Sequence, residues 1–350
     1  MTREQVGFDD SPREGASDLL LEVAGLTVEF PARGGTVRAV DDVSFAIGRG
    51  EIVGLVGESA SGKSTLGLAI MRMVPAPGRV SSGHIEFDGH DLDVLPENQM
   101  RQLRGSAISL IVQDALATMN PVTKIEEQIG EVVRDHGGET SRKRLRVRSM
   151  NMLREVRLPN VEQNLRRYPH ELSGGMQQRV AIAEGLILGP KVIIADEPTT
   201  ALDVTVQAQI LSLLRAICDR HGTSIIFVTH DLATVAEICD RVMVMYAGRI
   251  VESGSVSTVF RRPAHPYTKA LLSGLLPLSG EPPKELDALP GQPPRPENWP
   301  SGCRFHPRCP TWRRRGEPEI CTTTDPHVDE TTPHWAACHF ADLEEDGISR

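Results

Sequence analysis

Short apolar runs rich in β-branched residues alternate along this chain with longer stretches whose apolar positions recur every three or four residues. "EIVGLVG" (51–57), "KVIIAD" (191–196) and "SIIFVTH" (224–230) are brief and continuous, which predicts strands buried on both faces. "VTVQAQILSLLRAICDR" (204–220) carries helical periodicity between the last two. The alternation predicts an α/β fold with a parallel sheet covered by helices. Ahead of it, "LEVAGLTVEF" and "VDDVSFAI" predict antiparallel strands. Residues of about 114–187 are richer in helix formers and charge and predict an inserted helical subdomain. After about residue 256 the pattern fades. "LSGEPPKELDALPGQPPRPENWPSG" is rich in Pro and Gly and predicts an extended linker, and the first 17 residues predict a disordered lead-in.

Composition narrows the class. Of 350 residues, 39% are hydrophobic and 24% charged, an ordinary globular balance. A net charge of −9 argues against broad binding to nucleic acid. The basic run "SRKRLRVR" (141–148) reads as a solvated helix face. No apolar run reaches the roughly 18 residues of a membrane span. The first residues lack the apolar core of a secretory signal, so a cytoplasmic protein without a disulfide framework is expected, despite six cysteines.

The chemistry begins at "GESASGKST" (57–65), which matches G-x-x-x-x-G-K-S/T between a strand and a helix. Gly57 and Gly62 let the backbone aim successive N–H groups inward at phosphate oxygens, with Glu58, Ser59, Ala60 and Ser61 completing the loop. Lys63 suits the β- and γ-phosphates of a nucleotide, and Ser64, followed by Thr65, suits Mg²⁺. Asp196 ends an apolar strand, where a carboxylate is rigidly held near Mg²⁺, and Glu197 beside it suits a general base for water. Ser173, Gly174 and Gly175 open a helix and offer a hydroxyl and bare N–H groups to a second anion.

These motifs together resemble the ATP-binding subunits of ABC transporters, a P-loop NTPase fold with a RecA-like parallel core, an antiparallel β subdomain and an inserted helical subdomain. The resemblance covers roughly 18–255: "GESASGKST" looks like Walker A, "VIIADE" like Walker B and "LSGGM" like the signature. It implies ATP and Mg²⁺ as ligands. It further implies that Gln113 is the Q-loop glutamine and a Mg²⁺ ligand, Asp203 the D-loop aspartate, His230 the switch histidine and Phe30 the aromatic that stacks on adenine. Ala60 stands where glycine is usual, and we expect a negative φ there. In this family two such domains face each other head to tail, so a second ATPase subunit, homologous or identical, is implied. A soluble ABC ATPase of repair or translation is the alternative, but it usually brings two nucleotide domains on one chain.

"RRPAHPYTKALLSGLLP" (261–277) resembles the segment that follows the ATPase domain in oligopeptide/dipeptide importer subunits. That implies two transmembrane permeases, an extracytoplasmic solute-binding protein, no nucleic acid, and a peripheral place on the cytoplasmic face of the cell membrane. Nickel and glutathione importers share these motifs. Residues 256–350 then form a C-terminal extension with cysteines at 303, 309, 321 and 338, spaced C-x5-C-x11-C-x16-C. Cys303, Cys309, Cys321 and Cys338 lack the C-x2-C pairs usual for structural zinc. Some peptide-importer ATPases of this family carry a 4Fe–4S cluster on four cysteines in this region, and "GCRFHPRCP…C…C" resembles that pattern. Zinc, with His306, His334 or His339 among its ligands, or four plain thiols are the other readings. Cys218 and Cys239 read as core thiols.

Overall fold

The structure, a computed structural model, describes residues 19–200, 202–274, 289 and 291–341. The expected lead-in and about half of the expected linker therefore lie outside the described residues. The apolar runs form strands as their patterns require: β1 (Leu19–Ala32), β2 (Gly35–Gly48), β3 (Ile52–Val56), β4 (Arg79–Phe87), β5 (His90–Asp91) and β6 (Ile108–Ile111). They continue with β7 (Val192–Asp196), β8 (Ser224–Thr229), β9 (Arg241–Tyr246), β10 (Arg249–Ser255) and β11 (Trp335–Ala336).

Two sheets result. One is antiparallel, in the order β2-β1-β4-β5. The other has seven strands in the order β11-β10-β9-β3-β8-β7-β6. Its members β9, β3, β8, β7 and β6 run parallel, and β10 and β11 add antiparallel at one edge. Every residue of β3 and β8 is buried, which accounts for their unbroken apolar character. The helix Val204–His221 turns Ile210, Leu211, Leu214 and Ile217 into the core. Between β6 and β7 lie helices at Ala115–Thr118, Ile125–Gly137, Arg142–Glu155, Val161–Asn164 and Gly174–Leu186. The basic run is tied locally there. Arg144 pairs with Glu139, Arg146 with Glu126 at 2.7 Å, and Arg148 donates to the Ile187 carbonyl at 2.6 Å.

The extension does not stand apart. β11 pairs Ala336 with Glu252 and Trp335 with Ser253 of β10. Phe305 is buried between Tyr246 of β9 and Tyr267 of the helix Pro266–Ser273, with ring centroids 5.2 and 5.4 Å away. Glu252, wholly buried, accepts hydrogen bonds from the amides of Ala264 (2.8 Å) and His265 (2.9 Å) and lies 2.9 Å from His334 Nε2. Burial pushes its carboxyl upward, but these partners outweigh that and hold it below the ordinary carboxylate range. Asp41 of β2 gathers Arg249 (2.8 Å), Arg38 (3.1 Å) and Arg304, and Arg304 also stacks 3.8 Å from the Trp299 ring. The short piece around the cysteines thus borrows the main core, because it has too few aliphatics to build its own.

Candidate nucleotide site and cysteine centre

The phosphate loop leaves the buried end of β3 and turns into the helix Lys63–Ile70. Its glycines are required by close approach. A Cβ on Gly57 would lie 2.1 Å from the Met245 carbonyl oxygen, and one on Gly62 2.3 Å from that of Ala39. Gly62 also has φ 107°, a left-handed value that glycine adopts readily. Between them Glu58–Ser61 forms a turn closed by the Ser61 amide on the Glu58 carbonyl at 3.2 Å. Its third residue, Ala60, has φ 64°, so the expected negative φ is wrong. The curl of the turn demands the left-handed conformation, and Ala60 accepts it at a cost of about 1 kcal/mol.

Lys63 is only 6% exposed, and its Nζ donates to the carbonyls of Gly57 (2.8 Å) and Glu58 (3.0 Å) and contacts Ser61 Oγ (3.4 Å). Burial lowers its pKa, opposed by the charges of Glu197, Asp196 and Glu58. Ser64 hydrogen-bonds Asp196, whose pKa is raised by burial and by Glu197. Glu197 gathers three side chains: His230 Nδ1 at 3.0 Å, Gln113 Nε2 at 3.0 Å and Thr200 Oγ1 at 2.8 Å. Burial pushes its carboxyl up, but His230, Thr200 and Lys63 together hold it below the ordinary range, so it is ionised near neutral pH. Its φ of 46° is left-handed, and its amide is pinned to the Val228 carbonyl of β8 at 2.9 Å. That strain, held by the neighbouring strand, aims the carboxylate out of the sheet.

So Lys63, Ser64, Gln113, Asp196, Glu197 and His230 come together from well-separated stretches of chain. Thr200 is a site residue that the motifs do not single out, although "EPTT" places it three residues after Glu197. Other expected residues lie elsewhere. Among the described residues no hydrogen bond or ion pair joins Ser173–Gly175 to the phosphate loop. Ser173 and Gly174 are exposed at the start of the helix Gly174–Leu186, and Gly175 packs where a Cβ would lie 2.7 Å from Val206. Asp203 caps the helix Val204–His221, accepting from the Val206 amide at 2.9 Å. The Phe30 ring covers Gly78, whose Cβ would fall 2.4 Å from it, and packs on the core under the antiparallel sheet. Phe30 therefore has a packing role here.

The family model described as "ABC transporter" matches residues 40–200, and one described as "Oligopeptide/dipeptide transporter, C-terminal region" matches 251–315. The oligopeptide transport ATP-binding protein OppD of Escherichia coli is 44% identical over 329 residues, covering 94% of this chain and 95% of that protein. The chain belongs to the ATP-binding subunits of oligopeptide/dipeptide ABC transporters. Another relative of this family, the dipeptide transport ATP-binding protein DppD of Haemophilus influenzae, is 43% identical, covering 94% of this chain and 97% of that protein. Among solved structures, the ATP-binding cassette MJ0796, in a dimeric post-hydrolysis state bound to ADP and Pi, superposes with a TM-score of 0.62 at 26% identity. It covers 68% of this chain and 99% of that one. The fold is the ABC ATPase fold, and the extension is the part that sets this transporter family apart. Among the described residues no helix is long and apolar enough to cross a membrane.

All four cysteines of the extension line one small cavity, with Phe305, His306, Trp312 and His339 around them. Burial pushes the Cys303 thiol up to about 12 and raises Cys321 and Cys338 as well. Among the described residues, no three sulfur or histidine ligand atoms in this cavity lie mutually within 4.8 Å. Four thiolates around one zinc at about 2.3 Å would stand about 3.8 Å apart. The nearby histidines are also engaged: His306 Nδ1 lies 2.9 Å from the Cys303 carbonyl, His339 Nε2 2.9 Å from that of Thr324, and His334 meets Glu252. Cys218 is buried and contacts the Gly50 carbonyl at 3.1 Å, and Cys239 is half-buried after the helix Leu232–Ile238.

Proposed function

We propose that this subunit binds Mg-ATP between two facing copies, or between itself and a homologous subunit, and that hydrolysis powers uptake of peptides through partner permeases. The observation that carries this reading is the Glu197 carboxylate held by Gln113, His230 and Thr200 beside the Lys63 loop. Residues 18–255 serve as the nucleotide-binding domain, with about 114–187 as the helical subdomain that meets the permeases, and 256–350 as the extension. The loop amides of Gly57–Thr65 and Lys63 hold the phosphates. Ser173–Gly175 of the facing subunit close over the γ-phosphate, which suits their place at a helix start. Glu197 takes a proton from the attacking water, and Gln113 and His230 keep that carboxylate oriented. Loss of the γ-phosphate removes the contacts that bridge the two subunits, so the closed state loses population. Asp203 acts through its helix cap, and Phe30, beyond its packing on Gly78, is the aromatic we propose to stack on adenine.

Hard oxygen donors suit Mg²⁺, and the Ser64 hydroxyl, the Asp196 carboxylate and the Gln113 amide oxygen are such donors; Ser64 hydrogen-bonds Asp196, and Gln113 meets the neighbouring Glu197 through its amide nitrogen. Held there, Mg²⁺ would supply charge neutralisation on the phosphates. The extracytoplasmic solute-binding protein and two permeases complete the transporter at the cytoplasmic face of the membrane. In cells lacking this chain, uptake of labelled di- and tripeptides is expected to fall to background, and the parent gene should restore it. If uptake of nickel or glutathione fell instead, with peptides unaffected, the cargo assignment would be wrong.

We also propose that Cys303, Cys309, Cys321 and Cys338 hold a 4Fe–4S cluster. The four thiols line one cavity, a set of sulfur donors that suits such a cluster, and the local histidines are spent on carbonyls and Glu252. When bound, the cluster supplies a four-point brace to a segment with little core of its own. Anaerobically purified protein is expected to contain about four irons and four sulfides per chain, with a broad visible band bleached by reductant. One zinc and no iron, or no metal at all, would remove the cluster.

A further inference from the structure

Glu58, the second residue of the phosphate loop, is held from outside the loop by the C-terminal extension. Arg308 grips its carboxylate as a fork, Nη1 at 2.7 Å and Nη2 at 3.1 Å. The Glu58 amide donates to Tyr267 Oη at 2.9 Å. That turns one loop N–H away from the phosphates and toward the helix Pro266–Ser273. Both anchors are themselves fixed. Arg308 is 5% exposed and Tyr267 wholly buried, and Phe305, three residues before Arg308, packs on the Tyr267 ring. The Glu58 carbonyl in turn receives Lys63 Nζ and the Ser61 amide. A continuous path of hydrogen bonds therefore runs from the residue beside Cys309 to the lysine that faces the nucleotide.

We propose that Arg308 and Tyr267 are positioning residues for ATP, which act through Glu58 to hold the first half of the phosphate loop in its binding shape. The ordering of the cysteine segment is thereby transmitted to nucleotide affinity. The inference rests on the reading of Gly57–Thr65 as the ATP cradle. The physical basis is that a bidentate guanidinium–carboxylate pair, here with the guanidinium buried, fixes both distance and angle, which a lysine in its place cannot do. Without it, the Glu58–Ser61 turn, which carries Ala60 in a left-handed conformation, loses the tie on its Glu58 side chain and keeps only hydrogen bonds to its backbone and to Ser61.

The test uses the full chain, purified anaerobically, with Mg-ATP titrated against intrinsic tryptophan or a fluorescent ATP analogue and with steady-state hydrolysis measured alongside. Arg308→Ala is expected to weaken ATP binding about tenfold, the loss expected for one charge-assisted fork, raising KM far more than it lowers kcat. Arg308→Lys should recover only part of the loss. Glu58→Gln combined with Arg308→Ala should be no worse than the poorer single variant, because both break one pair. If Arg308→Ala melts the protein, Tyr267→Phe, which removes only a hydroxyl, carries the test and should still raise the dissociation constant. Unchanged ATP affinity in folded Arg308→Ala or Tyr267→Phe, or fully additive losses in the double variant, would overturn the proposal. Lys63→Ala separates the two readings. Should it bind ATP like the parent, the cradle itself is wrong. Should it lose ATP while Arg308→Ala and Tyr267→Phe keep it, only the positioning role fails.

Discussion

Replacing Glu197 with glutamine is expected to slow ATP hydrolysis by about 10²- to 10⁴-fold, the usual worth of a general base, while leaving ATP binding intact. Glutamine keeps the shape and can still accept from Thr200, but it cannot take a proton from water. Because Glu197 is held below the ordinary carboxylate range, the parent base stays charged at neutral pH. Its contribution should therefore be lost only as pH falls through that depressed value, so the acid limb of kcat should lie below the usual carboxylate range. In the variant, ATP-bound subunits should accumulate as a closed dimer, visible as a doubled mass on size exclusion with Mg-ATP. Normal turnover by Glu197→Gln would sink the assignment of the base.

Lys63→Ala is expected to lose most ATP affinity, on the order of a hundredfold, because a buried cation at the mouth of the cradle is the natural partner of the β- and γ-phosphates. Two effects add. The charge that partly compensates Asp196 and Glu197 is gone, so a polyanion would approach two carboxylates with less to offset them. The hydrogen bonds from Nζ to the carbonyls of Gly57 and Glu58 are also gone, so the loop loses its internal tie. Equilibrium titration with labelled ATP decides it, and parent-like binding would count against the cradle.

Much of this architecture is legible in the order of the residues alone. The phosphate loop, the Asp196–Glu197 pair and the parallel core are written in local signals: glycines at a fixed offset, a buried strand ending in acid, and short β-branched runs beside period-3.6 runs. What escapes a linear reading depends on contacts between distant residues. Thr200 reaches Glu197 because the chain folds back after β7, and Arg308 meets Glu58 across 250 positions. In sequence, Arg308 is merely a basic residue beside a cysteine. The sign of φ at Ala60 escapes for a related reason. It is imposed by a turn closed between Glu58 and Ser61, and residue type alone argues the other way. Phe30 is an aromatic in the sequence, but its surroundings are decided by Gly78, far along the chain.

The placing of β11 has a consequence for how the molecule is made. The seven-stranded sheet takes its last strand from Trp335–Ala336, long after β10 ends at Ser255. During synthesis, β10 emerges well before its partner and exposes a row of unpaired N–H and C=O groups, the kind of edge that recruits strands from other chains. A ribosome that stalls or terminates in the interval releases an ATPase whose phosphate loop and Asp196–Glu197 pair are present but whose sheet is open. Quality control of nascent chains, rather than catalysis, is where loss of the last strand should be felt first.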